Sequence, residues 1–529
     1  MRFRKIAALA LAATMTLSSA FMANAEIIGA DVDPANTEKT DETLRVALAS
    51  EPSTLWGAAT GSTENEAQII GSALMDTLVT VNKETGEVLP KLAKSWEWVD
   101  DTHLKFTLRD DVLMNDGNPL TADDVVYTAG VWKEYSPSTD TGRYIAGAVA
   151  DDEHTVTIEF NTVCPDLLSM MSWSNFGIVS EAQVEAAGGV EAAAKNPVIG
   201  CGRYIFKEWA NGQSVSLERN ENYWDPDYAG YYKDIYITFI NDPASRELAV
   251  EAGTSGGAGG ADVAVDIPVI QASTYAAKDN VNVVVYDFGQ VTHLWYNMSE
   301  GRPTADIRVR QAIDLALDFD ALAFIGTGGT GTAALGYLSP TSPYYEEMYT
   351  AEERAVDLEA SKALLEDAGY GDGLDLTILG TAGDVNTYTA IQAQLSQVGI
   401  NLTLNTPDIP QFVQDAFGGN YDLIVVGEWI PNTNPSAFTF LNQDNIDSGF
   451  IIGGPKVTTD EMNTLIHNII AAVELEQARE DMIELWGIMK ANVIESDLYP
   501  ELKAAVVSKD IKGYGTIERG FADITTLYK

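Results

Sequence analysis

Cysteine, histidine and positive charge are all scarce in this chain of 529 residues: two cysteines, four histidines, and 32 lysines and arginines against 78 acids. Each shortage excludes something. At a formal net charge of −46 the chain repels nucleic acid and anionic lipid, so no nucleic-acid partner is expected. The histidines are His103, His154, His293 and His467, and no two stand at ligand spacing, so no metal site is expected. No G-x-x-x-x-G-K-[ST] phosphate loop occurs, and no other cofactor signature is found. Past the first thirty residues no run is apolar enough to cross a bilayer, and no internal repeat is visible.

What is present begins with Arg2, Arg4 and Lys5, an apolar run from Ile6 to Leu17, and Ala23-Asn24-Ala25. This order reads as a secretory signal over residues 1–25, cleaved before Glu26, with no nearby cysteine for a lipid anchor. Residues 26–42 read as a flexible acidic leader. The mature chain is then expected outside the cytoplasm, periplasmic or extracellular. In such a compartment Cys164 and Cys201 are expected to form one disulfide, worth about 3 kcal/mol by constraining the unfolded chain.

The length exceeds what one core sustains, so two or three domains are expected. The first half is β-rich. Leu44–Ala49 reads as an opening strand and 64–78 as a helix. Leu104, Phe106 and Leu108, then Val156, Ile158 and Phe160, alternate with polar residues as half-buried strands do. Asn211-Gly212 marks a hairpin turn. The second half changes period. Helices are expected around 309–317 and 358–368, the latter closed by Gly369. Strand 374–379, helix 386–398, strand 400–404, a short helix near Phe412 and strand 421–427 follow. Strands alternating with helices indicate a mostly parallel sheet, hence an α/β fold.

Two enzyme-like patterns fail on context. Gly253-Thr254-Ser255-Gly256-Gly257 fits a nucleophile elbow, but that elbow joins a strand to a helix, and here a helical stretch comes first and a strand second. Gly326, Gly328 and Gly331 fit a dinucleotide fingerprint, again with a helix where the strand should be. Acids are too abundant for any carboxylate pair to be informative. No catalytic residue is expected.

The chain carries Leu89-Pro90-Lys91-Leu92-Ala93-Lys94-Ser95-Trp96-Glu97, Phe106-Thr107-Leu108-Arg109-Asp110 and Asn115-Asp116-Gly117 through Val125. Gly200-Cys201-Gly202-Arg203-Tyr204, Leu217 to Asn220, Tyr223-Trp224, Asp306 to Ile313 and Leu364 to Tyr370 follow in order. Over about residues 44–515 this series resembles bacterial extracellular solute-binding proteins of the peptide/nickel importer class. The resemblance implies a two-lobed periplasmic-binding-protein fold (type II-like, cluster C) with an extra subdomain and a hinge cleft. It assigns 43–75, 197–288 and 498–529 to lobe one, 76–196 to the subdomain and 289–497 to lobe two. It implies a monomeric, non-enzymatic substrate-binding subunit of an ABC importer, handing peptides or peptide-like solutes to a membrane permease. An oligosaccharide, opine or metal chelate is an alternative cargo. An exported hydrolase or a ligand sensor are alternatives of another class.

By the same resemblance, Thr63, Glu64 and Asn65 after the first strand line the ligand site, opposite Glu428, Trp429, Asn432 and Asn434. Trp56 is a further aromatic candidate. Peptide binders of this class usually place an Asp after the strand equivalent to 421–427 to pair the peptide amine. Here that position is Pro431 or Asn432, depending on alignment, and neither neutralises an ammonium. Either Glu428 or another acid substitutes, or the ligand lacks the amine.

Overall fold

The computed structural model describes residues 26–28, 39–62, 64–137, 139, 141–162, 166–197, 199–253, 259–381, 385–429, 459–472, 475–516 and 520–529. The chain divides into two compact units. The first comprises 1–163, 167–286 and 503–529, the second 164–166 and 287–502. Residues expected for lobe one and for the extra subdomain thus fall mostly together in the first unit. The backbone passes from one unit to the other inside two long strands, Val281–Tyr296 and Glu495–Ser508.

At the centre of the first unit lies strand Thr43–Leu48, parallel to Asp234–Phe239 on one side and Val263–Ile267 on the other. Flanked on both sides, it buries Leu44, Val46, Ala47 and Leu48 completely, so it reads as a continuous apolar run. Beyond Asp234–Phe239 the sheet continues antiparallel through Ser214–Arg219 and Tyr204–Ala210. That hairpin turns at Gly212, whose φ of +71° suits glycine, and Glu51 accepts from both the Gly212 N–H and the Trp209 indole at 2.7 Å. In the expected leader, Glu26–Ile28 runs parallel to 284–286.

A separate four-stranded antiparallel sheet is built from Ala93–Asp100, His103–Leu108, Thr155–Phe160 and Ile145–Asp152 in that spatial order. Helix Ala122–Tyr135 packs on it. Thr121 caps the helix, and its hydroxyl and N–H both donate to Asp124 at 3.0 and 2.9 Å.

The second unit is the α/β half. Leu374–Leu379 runs parallel to Ile400–Asn405 and to Leu423–Trp429, which in turn pairs antiparallel with residues 290–296. Helices Ile307–Ala316, Leu358–Asp367 and Val385–Leu395 bury Val309, Ile313, Leu365 and Ile391 against these strands. A second core joins Asp460–Ala471 to Leu475–Asn492 through Met462, Ile466, Met482 and Trp486.

Three boundaries differ from expectation. The first helix spans Asn65–Leu74, stopping short of residue 78 because Met75 turns extended and Gly202 N–H takes the Leu74 carbonyl at 3.0 Å. Strand 421–427 begins at Leu423, since the Asp422 carboxylate is held by Thr377 N–H and Arg302. Helix 386–398 ends at Leu395 and finishes as a 3-10 turn, Ser396–Val398, closed by left-handed Gly399.

Of the two cysteines expected to form a bridge, Cys201 is a free, buried thiol, and Cys164 lies outside the described residues. Burial pushes the Cys201 thiol far above its ordinary pKa, so it acts as a small apolar filler.

Candidate functional site

In the first unit, Glu64 and Asn65 open helix Asn65–Leu74 just past the loop that follows strand Thr43–Leu48. The exposed Glu64 carboxylate accepts from Ser53 N–H at 2.7 Å and Ser53 Oγ at 2.8 Å, tying the loop to the helix. Two residues further on, buried Glu66 accepts from Ser50 N–H and Oγ at 3.0 and 2.9 Å. Beneath the loop, Gln68 donates to Asn175 at 2.8 Å, and Asn175 donates to the Ser62 carbonyl at 3.1 Å. These bonds hold the loop at its entry, its exit and its underside. Trp56, by contrast, is fully buried in the core and offers no open face.

In the second unit, Glu428 and Trp429 end strand Leu423–Trp429, with their backbones opposite Val291 and Gln290. Thr63, Asn432, Asn434 and Pro431 lie outside the described residues. Thus Glu64 and Asn65 share one helix start and Glu428 and Trp429 share one strand end, each pair within its own unit.

The recurring sequence signals have structural duties here. Arg310, from the 306–313 run, donates to four backbone carbonyls: Val493 at 2.8 Å, Asn492 at 2.8 Å, Thr304 at 2.9 Å and Ala305 at 3.0 Å. Asp306 caps the same helix by accepting from Arg308 N–H at 2.9 Å, and the Arg308 guanidinium beside it holds its carboxyl below the usual range. Trp224 donates to Asp76 at 2.8 Å, and Lys91 pairs with Asp76 at 2.9 Å. Asn220 donates to the Gly202 carbonyl at 3.0 Å. These residues fix the framework.

One group escaped the sequence reading. His293, fully buried, places Nδ1 2.9 Å from Asp497 and 3.5 Å from Glu495, both also buried. Arg354 stands 3.5 Å from Asp314 and 3.6 Å from Asp497. Burial pushes the Asp314 carboxyl above its ordinary pKa. No short-range spacing could reveal the cluster, because its parts are some two hundred positions apart. A usable signal was the Glu495-x-Asp497 alternation, which puts two acids on one face of a strand whose neighbours Ser496, Leu498 and Tyr499 are all buried.

A two-unit α/β chain, with an open parallel-sheet half and an ordered loop after its first strand, has the architecture of a solute-binding protein. Residues 87–449 match the family of bacterial extracellular solute-binding proteins, family 5 Middle, and the chain belongs to that family. It is 28% identical over 412 residues to the periplasmic murein peptide-binding protein MppA of Escherichia coli K12, covering 71% of this chain and 73% of MppA. The substrate-binding protein CtaP of Listeria monocytogenes shares the fold with a TM-score of 0.79 at 19% identity, over 93% of this chain and 99% of CtaP. The DppA protein of Helicobacter pylori, solved with the peptide STSA, aligns with a TM-score of 0.73 at 20% identity, over 92% of this chain and 98% of DppA. Among the described residues no helix is long and apolar enough to cross a membrane.

Proposed function

We propose that this chain is an exported substrate-binding subunit of an ABC importer, capturing peptides or peptide-like solutes and passing them, unaltered, to a membrane permease. The observation that carries this reading is the family match over residues 87–449, joined to a relative named for peptide binding that covers most of the chain. Capture without chemistry needs only that the ligand bind one arrangement of the protein better than another. The population then shifts by that difference in affinity. The strands crossing at 286/287 and 502/503 are where the backbone would absorb such a change.

Within this reading, the loop opening at Thr63, Glu64 and Asn65 supplies polar contacts. Trp429 supplies a stacking face, and Asn432 and Asn434 supply adaptable donors and acceptors. Glu428, the acid nearest the position where relatives carry an amine-pairing Asp, takes that role. The E428Q variant is then expected to bind free-amine peptides about tenfold or more weakly while binding N-acetylated peptides as the wild type does.

A thermal-shift screen over di-, tri- and oligopeptides tests the whole reading. Some peptide is expected to raise the melting temperature by several degrees, through mass action on the folded state. Silence toward every peptide, with a response to an opine, oligosaccharide or metal chelate, would move the cargo to that class.

A further inference from the structure

We propose that His293, Glu495 and Asp497 form a binding site for one first-row divalent cation, Zn²⁺ or Mn²⁺, inside the second unit. The three offer one imidazole nitrogen and two carboxylate oxygens, all within 4.8 Å of one another. An ion held at about 2.0–2.2 Å from each donor spaces its ligands roughly 3–3.5 Å apart. The separations from His293 Nδ1, 2.9 Å to Asp497 and 3.5 Å to Glu495, already match that spacing. An imidazole with two carboxylates suits Zn²⁺ and Mn²⁺ better than it suits Ca²⁺ or a thiophilic ion.

Charge balance points the same way. Asp314 and Asp497 share one guanidinium, that of Arg354, at 3.5 and 3.6 Å. Arg354 does not fork onto either carboxylate. Its guanidinium lies over the rings of Phe319 at 4.1 Å and Tyr349 at 3.6 Å, and its N–H groups make no hydrogen bond among the described residues. It sits on the Oδ2 side of Asp497, whereas Oδ1 faces His293. A divalent ion beside Asp497 and Glu495 would offset carboxylate charge held away from water, which is costly to leave uncompensated. A small surface cavity reaches Glu495 and Asp497 between Tyr337, Tyr349, Trp486 and Lys490, which gives an ion a way in. Water completes the coordination from that side. The ion would pin strand Glu495–Ser508 to strand Val281–Tyr296 on the second unit's side of both crossings, independently of any cargo.

The full mature chain, made without a polyhistidine tag and stripped with a chelator, is offered Zn²⁺ or Mn²⁺ separately, desalted, and its metal counted by mass spectrometry. One equivalent per chain is expected for the wild type, and less than a tenth of that for H293Q and D497N. The wild-type melting temperature is expected to rise by several degrees with metal while that of the variants stays put. No retained ion, or equal retention by wild type and variants, would overturn the site; the latter would mean that the acidic surface binds the metal. Should the variants not fold, Co²⁺ titration of the wild type decides the matter. Visible bands of a nitrogen- and oxygen-ligated site are expected, and the spectrum of aqueous Co²⁺ would overturn it. The peptide screen is untouched by either result.

Discussion

Two arginines buried in the second unit are held in opposite ways. Arg310 meets only neutral partners, four backbone carbonyls at the end of one helix and the start of another. Arg354 meets two carboxylates and two aromatic faces. The first belongs to the 306–313 run that carries the resemblance to the family. A guanidinium among dipoles is a clamp that any ligand chemistry can live with, so the run that carries it marks the fold. A guanidinium between acids and aromatic faces is instead part of a buried charged cluster.

The sharpest way to break this contrast is to remove each clamp. Arg310→Met leaves four backbone carbonyls, Thr304's buried and the other three part-buried, without this donor and is expected to cost about 3 kcal/mol, read by chemical denaturation. A smaller loss there than for Arg354→Met would reverse the ranking. In the first unit, a Cβ at Gly202 would meet backbone atoms of Leu74 and Ala73 at 2.4 and 2.5 Å. Gly202→Ala is therefore expected to cost about 1–3 kcal/mol. Gly130→Ala, in helix Ala122–Tyr135 with nothing near its Cβ position, is expected to gain about 0.5–1 kcal/mol. Parallel melts of the two variants check both signs.

Smaller effects come from charge at the surface. The Asp306 carboxyl is held below its ordinary range chiefly by its hydrogen bond from Arg308. A depressed carboxyl adds stability above its unfolded pKa, about 3.9, and that share is lost as pH falls through the folded value. Asp306→Asn is expected to flatten the acid limb of the stability curve slightly. Smallest of all, the exposed Lys94–Asp110 pair at 2.8 Å is expected to contribute nothing measurable, so Lys94→Ala should melt with the wild type.

Local periodicity made most elements legible. Leu104, Phe106 and Leu108 do alternate inward on strand His103–Leu108, and the 309, 312, 313 and 316 face does bury itself in helix Ile307–Ala316. The context argument against the two glycine motifs is met as well: helix Pro243–Ala252 precedes the first and strand Val263–Ile267 follows it, while helix Phe319–Gly326 precedes the second. What failed was anything needing distance. Trp56, a further aromatic candidate for the ligand site, is core, because burial depends on what packs from elsewhere. Cysteine count and compartment suggested a bridge, but they say nothing about separation in space, and Cys201 is free. His293 looked solitary because its partners arrive on a strand from the far end of the chain. Of the candidate ligand residues, Glu64 and Asn65 stand at a helix start, and Glu428 and Trp429 are the last two positions of strand Leu423–Trp429, which runs two residues past its expected end at 427. Their chemistry toward a ligand is a matter for binding experiments.

The most direct test of capture without turnover is to incubate the pure protein with a defined peptide pool, separate it by gel filtration, and weigh what comes with it and what stays behind. One intact peptide per chain in the protein fraction, with the free pool unchanged in mass, is the predicted result. Shortened peptides in the pool, or a protein fraction that carries none, would contradict the account.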